Sequence, residues 1–297
     1  MRKDMRLSED LAGSGQGDAV VRAMTDDGAF RVIAVETSAT VRGAVAAQSA
    51  TGSTARLFAD LLTGAVLVRE TMAPTLRVQG ILKGAAGKGS LVADSHPDGT
   101  TRGLVQLKKT TSLDVSSGAL LQLMRTLPNG ALHQGIVELP ADGNLSSGLM
   151  AYMEQSEQVV SVIAVGGVGE GAAEADRAGG YIVQLLPDAD SAAVSDMIEK
   201  LEALPPVNEL IAREGFSAAA LLAWVLRDSP FSIVEERTVS YGCNCSHERL
   251  LGSLASLERS EIVAMVEEGN VLEITCDYCQ SDYRISPEQL RGLLVPS

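Results

Sequence analysis

The chain has 297 residues, 45% of them apolar and only 3% aromatic, with a formal net charge of −14 at pH 7. That length allows two domains and a connector around largely aliphatic cores. The acidic balance argues against nucleic acid or an anionic membrane surface as main partner, since both attract proteins through Lys and Arg. The charged N-terminus has no apolar stretch behind it, and no apolar run reaches the roughly eighteen residues of a membrane span. A cytoplasmic location is therefore expected.

Residues 1–25 read as a loosely held arm interrupted by Gly13, Gly15 and Gly17. From Phe30, FRVIAVETSATVRGAV alternates as one or two strands with one buried face. SATGSTARLFADLLTGAVLVRETM reads as a long helix or a pair, with Leu57, Leu61, Ala65 and Val68 as its apolar stripe. The strands TLRVQGIL, GSLVADS and GTTRGLVQLKK follow, the last after the turn His96-Pro97-Asp98-Gly99, whose Pro, Asp and Gly suit a tight reversal. HQGIVELP, QVVSVIAVGG and GGYIVQLLP continue the strand pattern, SSGLMAYMEQSEQ is helical, and VGGVGEGAAEADRAGG reads as a hairpin loop. The fold class is α+β, with an antiparallel or mixed sheet and helices over residues 1–187.

Residues 188–240 read as a helical connector. In its first helix Val194, Met197, Ile198, Leu201 and Leu204 share a face that Pro205-Pro206 closes, and further on Ser217 caps AAALLAWVL. Residues 241–297 form a small C-terminal domain. There SHERLLGSLASL is helical, Ser260 caps EIVAMVEE, VLEITC and SDYRIS are strands, and Ser286-Pro287-Glu288-Gln289 is a capping box.

The four cysteines of the chain all fall in that last domain. Cys243 and Cys245 form C-x-C, Cys276 and Cys279 form C-x-x-C, and roughly thirty residues separate the pairs, the general form of a two-knuckle zinc site. In a reducing compartment such clustering indicates metal or redox work before structural disulfides. A block of about sixty residues has a thin core, and a bound zinc adds folding energy on the order of 10 kcal/mol. The metal holds the sulfurs as thiolates, the form that oxidants attack, and within each close pair one cysteine can resolve a sulfenic acid on the other. Two uses of the site stay open from spacing alone: a purely structural zinc in a constitutive interaction module, or a switch that oxidation unfolds.

Other signals are weaker. Gly167, Gly169 and Ala172 fit a loose dinucleotide-loop pattern followed by a segment too short and polar for the helix it requires. GAAGKGS lacks the spacing of a phosphate loop. His247 beside the first pair reads as a surface or capping residue, and Trp224 as core. CDYC joins two strands where a disulfide oxidoreductase places it at a helix start. No residue set forms an active site, so the chain reads as a non-enzyme.

CNCSHERL, EIVAMVEEGNVLEITCDYC and SDYRIS resemble the zinc domain of the thirty-three-kilodalton heat-shock redox chaperone family. GLMAYMEQSEQV, AGGYIVQLLP and ARLFADLLTGAVL followed by LRVQGILKG resemble its N-terminal domain. The resemblance implies that Cys243, Cys245, Cys276 and Cys279 bind one Zn²⁺ per chain in the reduced state and act as redox sensors. It implies further that oxidation forms the Cys243–Cys245 and Cys276–Cys279 disulfides, releases zinc and unfolds the connector. The active form is then an ATP-independent holdase for unfolded, aggregation-prone proteins, often a homodimer. Tyr241 departs from the family, which more often has Phe there.

Overall fold

The computed structural model describes residues 18–107, 112–127, 129–169, 175–187 and 189–294. The chain divides into two compact units at the Gly242–Cys243 junction.

In the first unit, β1 (Ala19–Thr25) turns at Gly28 into β2 (Phe30–Glu36). Helices α1 (Ser38–Gln48) and α2 (Gly52–Glu70) follow, then strands β3 (Val78–Lys83), β4 (Ser90–Ser95), β5 (Thr100–Gln106), β6 (Leu120–Thr126) and β7 (Leu132–Glu138). After α3 (Leu145–Tyr152) and a wider turn over Met153–Glu157 come β8 (Ser161–Val168) and β9 (Arg177–Leu185). The connector supplies α4 (Ser191–Glu202), α5 (Val207–Ala212), α6 (Ala218–Leu226), β10 (Phe231–Thr238) and the two-residue β11 (Ser240–Tyr241). These strands make an antiparallel five-stranded sheet, β10-β1-β2-β9-β8, and a six-stranded sheet, β11-β5-β4-β3-β6-β7, in which only the β11–β5 pairing is parallel. The α+β expectation with antiparallel and mixed pairing is borne out.

Helix α2 packs on strands of both sheets and is buried continuously from Leu61 to Glu70. The helix is therefore enclosed on every side, and the stripe seen in the sequence is only part of what it buries; its last residues, Arg69 and Glu70, are buried as paired charges. Around it Ile33, Val35, Leu82, Leu91, Leu121, Leu149 and Ile182 complete one core. The five-stranded sheet is covered on its other face too. There Val21, Phe30, Val32, Tyr181 and Val183 pack against Leu210, Ile211, Phe216, Leu221, Leu222 and Leu226 of the connector. A strand buried on both faces loses its alternation, which is why FRVIAV is apolar almost throughout.

Arg177 of β9 fastens the same contact from the side. Its guanidinium donates to the carbonyls of Ala212 (3.1 Å) and Arg213 (2.8 Å) at the end of α5. It also lies 5.5 Å from the centre of the Phe216 ring. Carbonyls at a helix C-terminus lack partners within the helix and favour a cation there.

Several local expectations are corrected. Residues 19–25 are not an arm but the strand β1, with Val20, Val21 and Ala23 buried, while residues 1–17 lie outside the described residues. The segment from Ser38 is helical, not strand. Asp18 accepts from the amides of Ala39 (2.9 Å) and Thr40 (2.6 Å), satisfying the open end of α1 from about twenty residues away. Val41 and Ala44 then face the core. The polar end of the connector, read with the rest of 188–240 as helical, is the strand β10, and Arg22 of β1 pairs with its Glu235 at 2.7 Å. Ile198 is 50% exposed whereas Met197 beside it is buried. Trp224 is only half-buried and stacks under Arg213 at 5.3 Å.

The turn 96–99 forms as expected, with the Gly99 amide on the His96 carbonyl at 3.0 Å. Gly99 has φ +89, and a Cβ there would lie 2.5 Å from the Thr238 carbonyl oxygen, so glycine is required where β10 passes. Tyr241 packs over Gly43 of α1, where an added Cβ would strike its ring at 2.6 Å. Gly167 lies inside β8, which removes the dinucleotide-loop reading, and after GAAGKGS the chain enters β4 with no helix.

Asp94 is the most heavily paired buried charge near this turn. Its fully buried carboxylate accepts from Arg77 (2.5 and 2.8 Å), His96 (3.1 Å) and Arg102 (3.1 Å). Burial alone would raise its pKa, but the His96 and Arg77 bonds outweigh that and hold it well below the usual carboxylate range. A lowered folded pKa means stability present above the unfolded value of about 3.9 and lost as pH falls below it. Asp94→Asn is expected to cost about 2–3 kcal/mol at neutral pH. In urea unfolding, wild type should lose stability as pH falls from about 4 toward 2 more steeply than the variant.

Candidate metal centre

The second unit, Cys243–Ser297, contains α7 (His247–Leu254), α8 (Arg259–Glu268), β12 (Leu272–Thr275), β13 (Asp282–Ile285) and α9 (Pro287–Gly292). Its cap at α9 is the expected box, with Ser286 and Gln289 exchanging side-chain and backbone bonds. At α8 the box is Glu258 with Glu261, so the helix starts before Ser260 and not after it. Among its described residues only Ile262, Ile285 and Leu290 are buried apolar side chains. A unit of this size cannot hold its chain together on so little apolar burial.

Four cysteines meet in this thin core. Cys243 and Cys245 lie on the chain leading to α7, where the Ser246 hydroxyl accepts from the Arg249 amide. Cys276 and Cys279 lie on the tight turn between β12 and β13. The Cys276 amide bonds the Ser281 carbonyl (2.9 Å), the Gln280 amide bonds the Cys276 carbonyl (2.8 Å), and Gln280 takes a left-handed φ of 58°. All four Sγ atoms lie within 4.8 Å of one another, with Cys243–Cys276 at 3.8 Å and Cys245–Cys279 at 3.3 Å. Four sulfurs at about 2.3 Å from a central ion in a tetrahedron stand about 3.8 Å apart. The four cysteines are thus placed to hold a metal ion, and the donor set is soft, all half-buried sulfur.

Two hydroxyls reach the sulfurs from the β13 side. Tyr283 donates to Cys245 Sγ at 3.0 Å, and Ser281 Oγ lies 3.3 Å from Cys279 Sγ. Burial opposes ionisation of Cys279, but bonds from the Ser281 hydroxyl and amide outweigh it and bring the group to about 7. Cys245 is pushed up to about 12, first by burial and then by competition with the other thiols, although the Tyr283 bond acts against this. Burial also raises Cys276. The Cys245 sulfur, ahead of burial, raises Tyr283 to about 12 and keeps it a donor.

The sequence pattern contained neither hydroxyl as a functional residue. The alternation in SDYRIS was the available signal, since it puts Ser281, Tyr283 and Ile285 on one face of the return strand. His247 is not among the clustered donors. Its Nε2 accepts from the Gln289 side chain at 2.8 Å in one tautomer, a structural contact to α9. A cleft of about 290 Å³ lies beside Cys245 and Cys276, walled by Arg249, Leu250, Ile274 and Tyr278.

A two-sheet α+β unit followed by a small unit whose four clustered cysteines are placed to hold a metal ion defines a protein with a dedicated C-terminal cysteine module. The chain belongs to the Hsp33 chaperone family, whose model, described as Hsp33 protein, matches residues 18–286. It is 28% identical over 288 residues to the 33 kDa chaperonin of Halalkalibacterium halodurans, covering 93% of this chain and 98% of that one. The 33 kDa chaperonin of Streptococcus pneumoniae (strain JJA) is 27% identical with the same coverage. The crystal structure of the 33 kDa chaperonin of Thermotoga maritima superposes with a TM-score of 0.77 at 23% identity, covering 94% of this chain and 98% of that one, and shares the fold. No helix among the described residues is long and apolar enough to cross a membrane.

Proposed function

We propose that the protein is a redox-regulated, ATP-independent holdase, off while reduced and zinc-bound, and switched on by oxidation. The observation that carries this reading is the meeting of four sulfurs in a unit with three buried apolar side chains among its described residues, so that their chemistry governs its folding. Zn²⁺ held by Cys243, Cys245, Cys276 and Cys279 would keep the sulfurs deprotonated and tie the two ends of the unit together.

Oxidation would act on the thiolates themselves. A peroxide takes two electrons from one thiolate, leaving a sulfenic acid and releasing hydroxide. The neighbouring thiolate then displaces a second hydroxide and closes the disulfide. Repeated at Cys243–Cys245 and Cys276–Cys279, this removes all four donors and with them the metal.

The functional surface is the contact already described between the connector and the five-stranded sheet. The domains act as residues 1–187 for client binding and dimerisation, 188–240 as the releasable connector and 241–297 as the switch. Cys243 follows β11 by two residues, so loss of the switch fold frees the end of the connector. Undocking would uncover Val21, Phe30, Val32, Tyr181 and Val183 together with the leucines of α6, an apolar surface suited to unfolded segments. The net charge of −14 helps keep such complexes soluble in the cytoplasm. No step calls for catalysis, nucleotide, nucleic acid or membrane.

The test treats reduced, zinc-loaded protein with peroxide while following zinc in solution, the fluorescence of Trp224, the chain's single tryptophan, and suppression of a client's aggregation. About one zinc per chain should appear, with a red-shifted tryptophan and new holding activity on the same time course. Zinc that stays bound, or that leaves without any gain in holding, would establish the alternative of a constitutive module with a structural metal.

A further inference from the structure

We propose that the Tyr283 hydroxyl is a positioning group that restrains the Cys245 thiolate and sets how fast the metal centre yields to oxidant. The inference rests on the zinc-switch reading and assigns a regulator to that site.

The geometry is specific to one sulfur. Tyr283 projects from β13 and donates to Cys245 Sγ at 3.0 Å, a short contact for a hydroxyl on sulfur. Register fixes its place: Tyr283 is paired with Ile274 across the hairpin, and Thr275 bonds Asp282 at 2.6 Å beside it. The ring is therefore held by the same two strands that carry Cys276 and Cys279, while its hydroxyl reaches a cysteine of the other pair. The contact between Cys279 Sγ and Ser281 Oγ is longer, 3.3 Å, runs from thiol to hydroxyl, and stays within one pair. Tyr283 thus links the two halves of the cluster without being a ligand itself.

A donor on a thiolate withdraws electron density from the sulfur and occupies one direction from which an oxidant approaches. When Cys245 attacks a peroxide, its lone pair forms the S–O bond, the O–O bond breaks, and hydroxide leaves. Cys243 then displaces a second hydroxide to give the disulfide. The hydrogen bond stabilises the thiolate more than the transition state in which that charge moves onto oxygen, so the first step is slowed.

The experiment compares wild type with Tyr283→Phe, which keeps the ring and removes the donor. Peroxide-driven zinc release is read with a chromogenic metal indicator, and the same proteins are loaded with Co²⁺ to record the sulfur-to-cobalt charge-transfer band. Zinc release should be about three- to ten-fold faster in the variant. The cobalt band should move to longer wavelength because a thiolate without its donor gives up an electron more easily, a change that loss of packing alone would not produce. An unchanged or slower release with an unmoved band overturns the proposal. So does a variant that takes up no cobalt, which would make the hydroxyl a requirement of the site and not a control on its rate. Wild type that binds no zinc, or keeps it under peroxide, is the separate failure of the zinc-switch reading.

Discussion

Stripping the metal from the reduced protein with a strong chelator is expected to unfold residues 243–294 while the two cores of the first unit persist. The second unit buries only Ile262, Ile285 and Leu290 among its described apolar residues, against more than fifty in the first. Ordering a chain of this length costs far more than three such side chains return. Closing the four thiolates on zinc, as proposed, would supply on the order of 10 kcal/mol, enough to decide between folded and unfolded. The short helices α7, α8 and α9 cannot persist alone, since isolated helices below about twelve residues are marginal in water. Amide hydrogen exchange on the chelated protein checks this. Protection should vanish from 243–294, including the β12–β13 hairpin, and remain in α2, β2 and β9. Retained protection in the hairpin would mean that the unit folds without its metal.

The second large effect should come from Leu222→Asp. Leu222 is 1% exposed in the middle of α6, packed with Leu221, Val225 and Leu226 on the outer face of the five-stranded sheet. A carboxylate there has no partner to take its charge, and the cost of docking the connector rises by about 4 kcal/mol or more. The inner core, built from the opposite sheet face and α2, does not include Leu222 and should remain intact. The reduced variant is therefore expected to hold clients without peroxide while still retaining zinc, and to be cut by protease between residues 187 and 240. If it loses its connector by proteolysis yet holds no client, the exposed sheet face is not the client surface and the functional proposal needs another site. Arg177 gives this contact its edge, because its bonds to Ala212 and Arg213 are polar and survive only while α5 is seated.

The cysteines were legible because metal-binding spacing is local. C-x-C and C-x-x-C each set two sulfurs side by side whatever the rest of the chain does, and the hairpin between VLEITC and SDYRIS follows from period-two alternation. The strands from Leu76 to Gln106 and the caps at Ser217 and Ser286 were likewise readable, since each depends on residues within a few positions of one another. The resemblance to the family rested on those same short stretches.

What local pattern could not supply was decided by contacts distant in sequence. Ser38–Gln48 is a helix because Asp18 satisfies its first amides across the fold, not because of a neighbouring cap. Phe231–Thr238 falls in the segment read as a helical connector, and is a strand because β1 offers it an open edge and Arg22 offers Glu235 a partner. Ala19–Thr25 could not be told from an arm until both its neighbours were in place. Tyr283 reads as an ordinary strand aromatic, and its bond to Cys245 exists because folding brings together cysteine pairs about thirty residues apart. The sequence by itself thus determined the α+β class, the four sulfur donors and the apolar character of the connector, all of which are written in composition and short spacings. Only the tertiary structure decided which sheet face the connector hides, which strands share an edge, and which hydroxyl touches which sulfur. Those depend on long-range pairing, where a residue's partner is chosen by the packing of the whole chain.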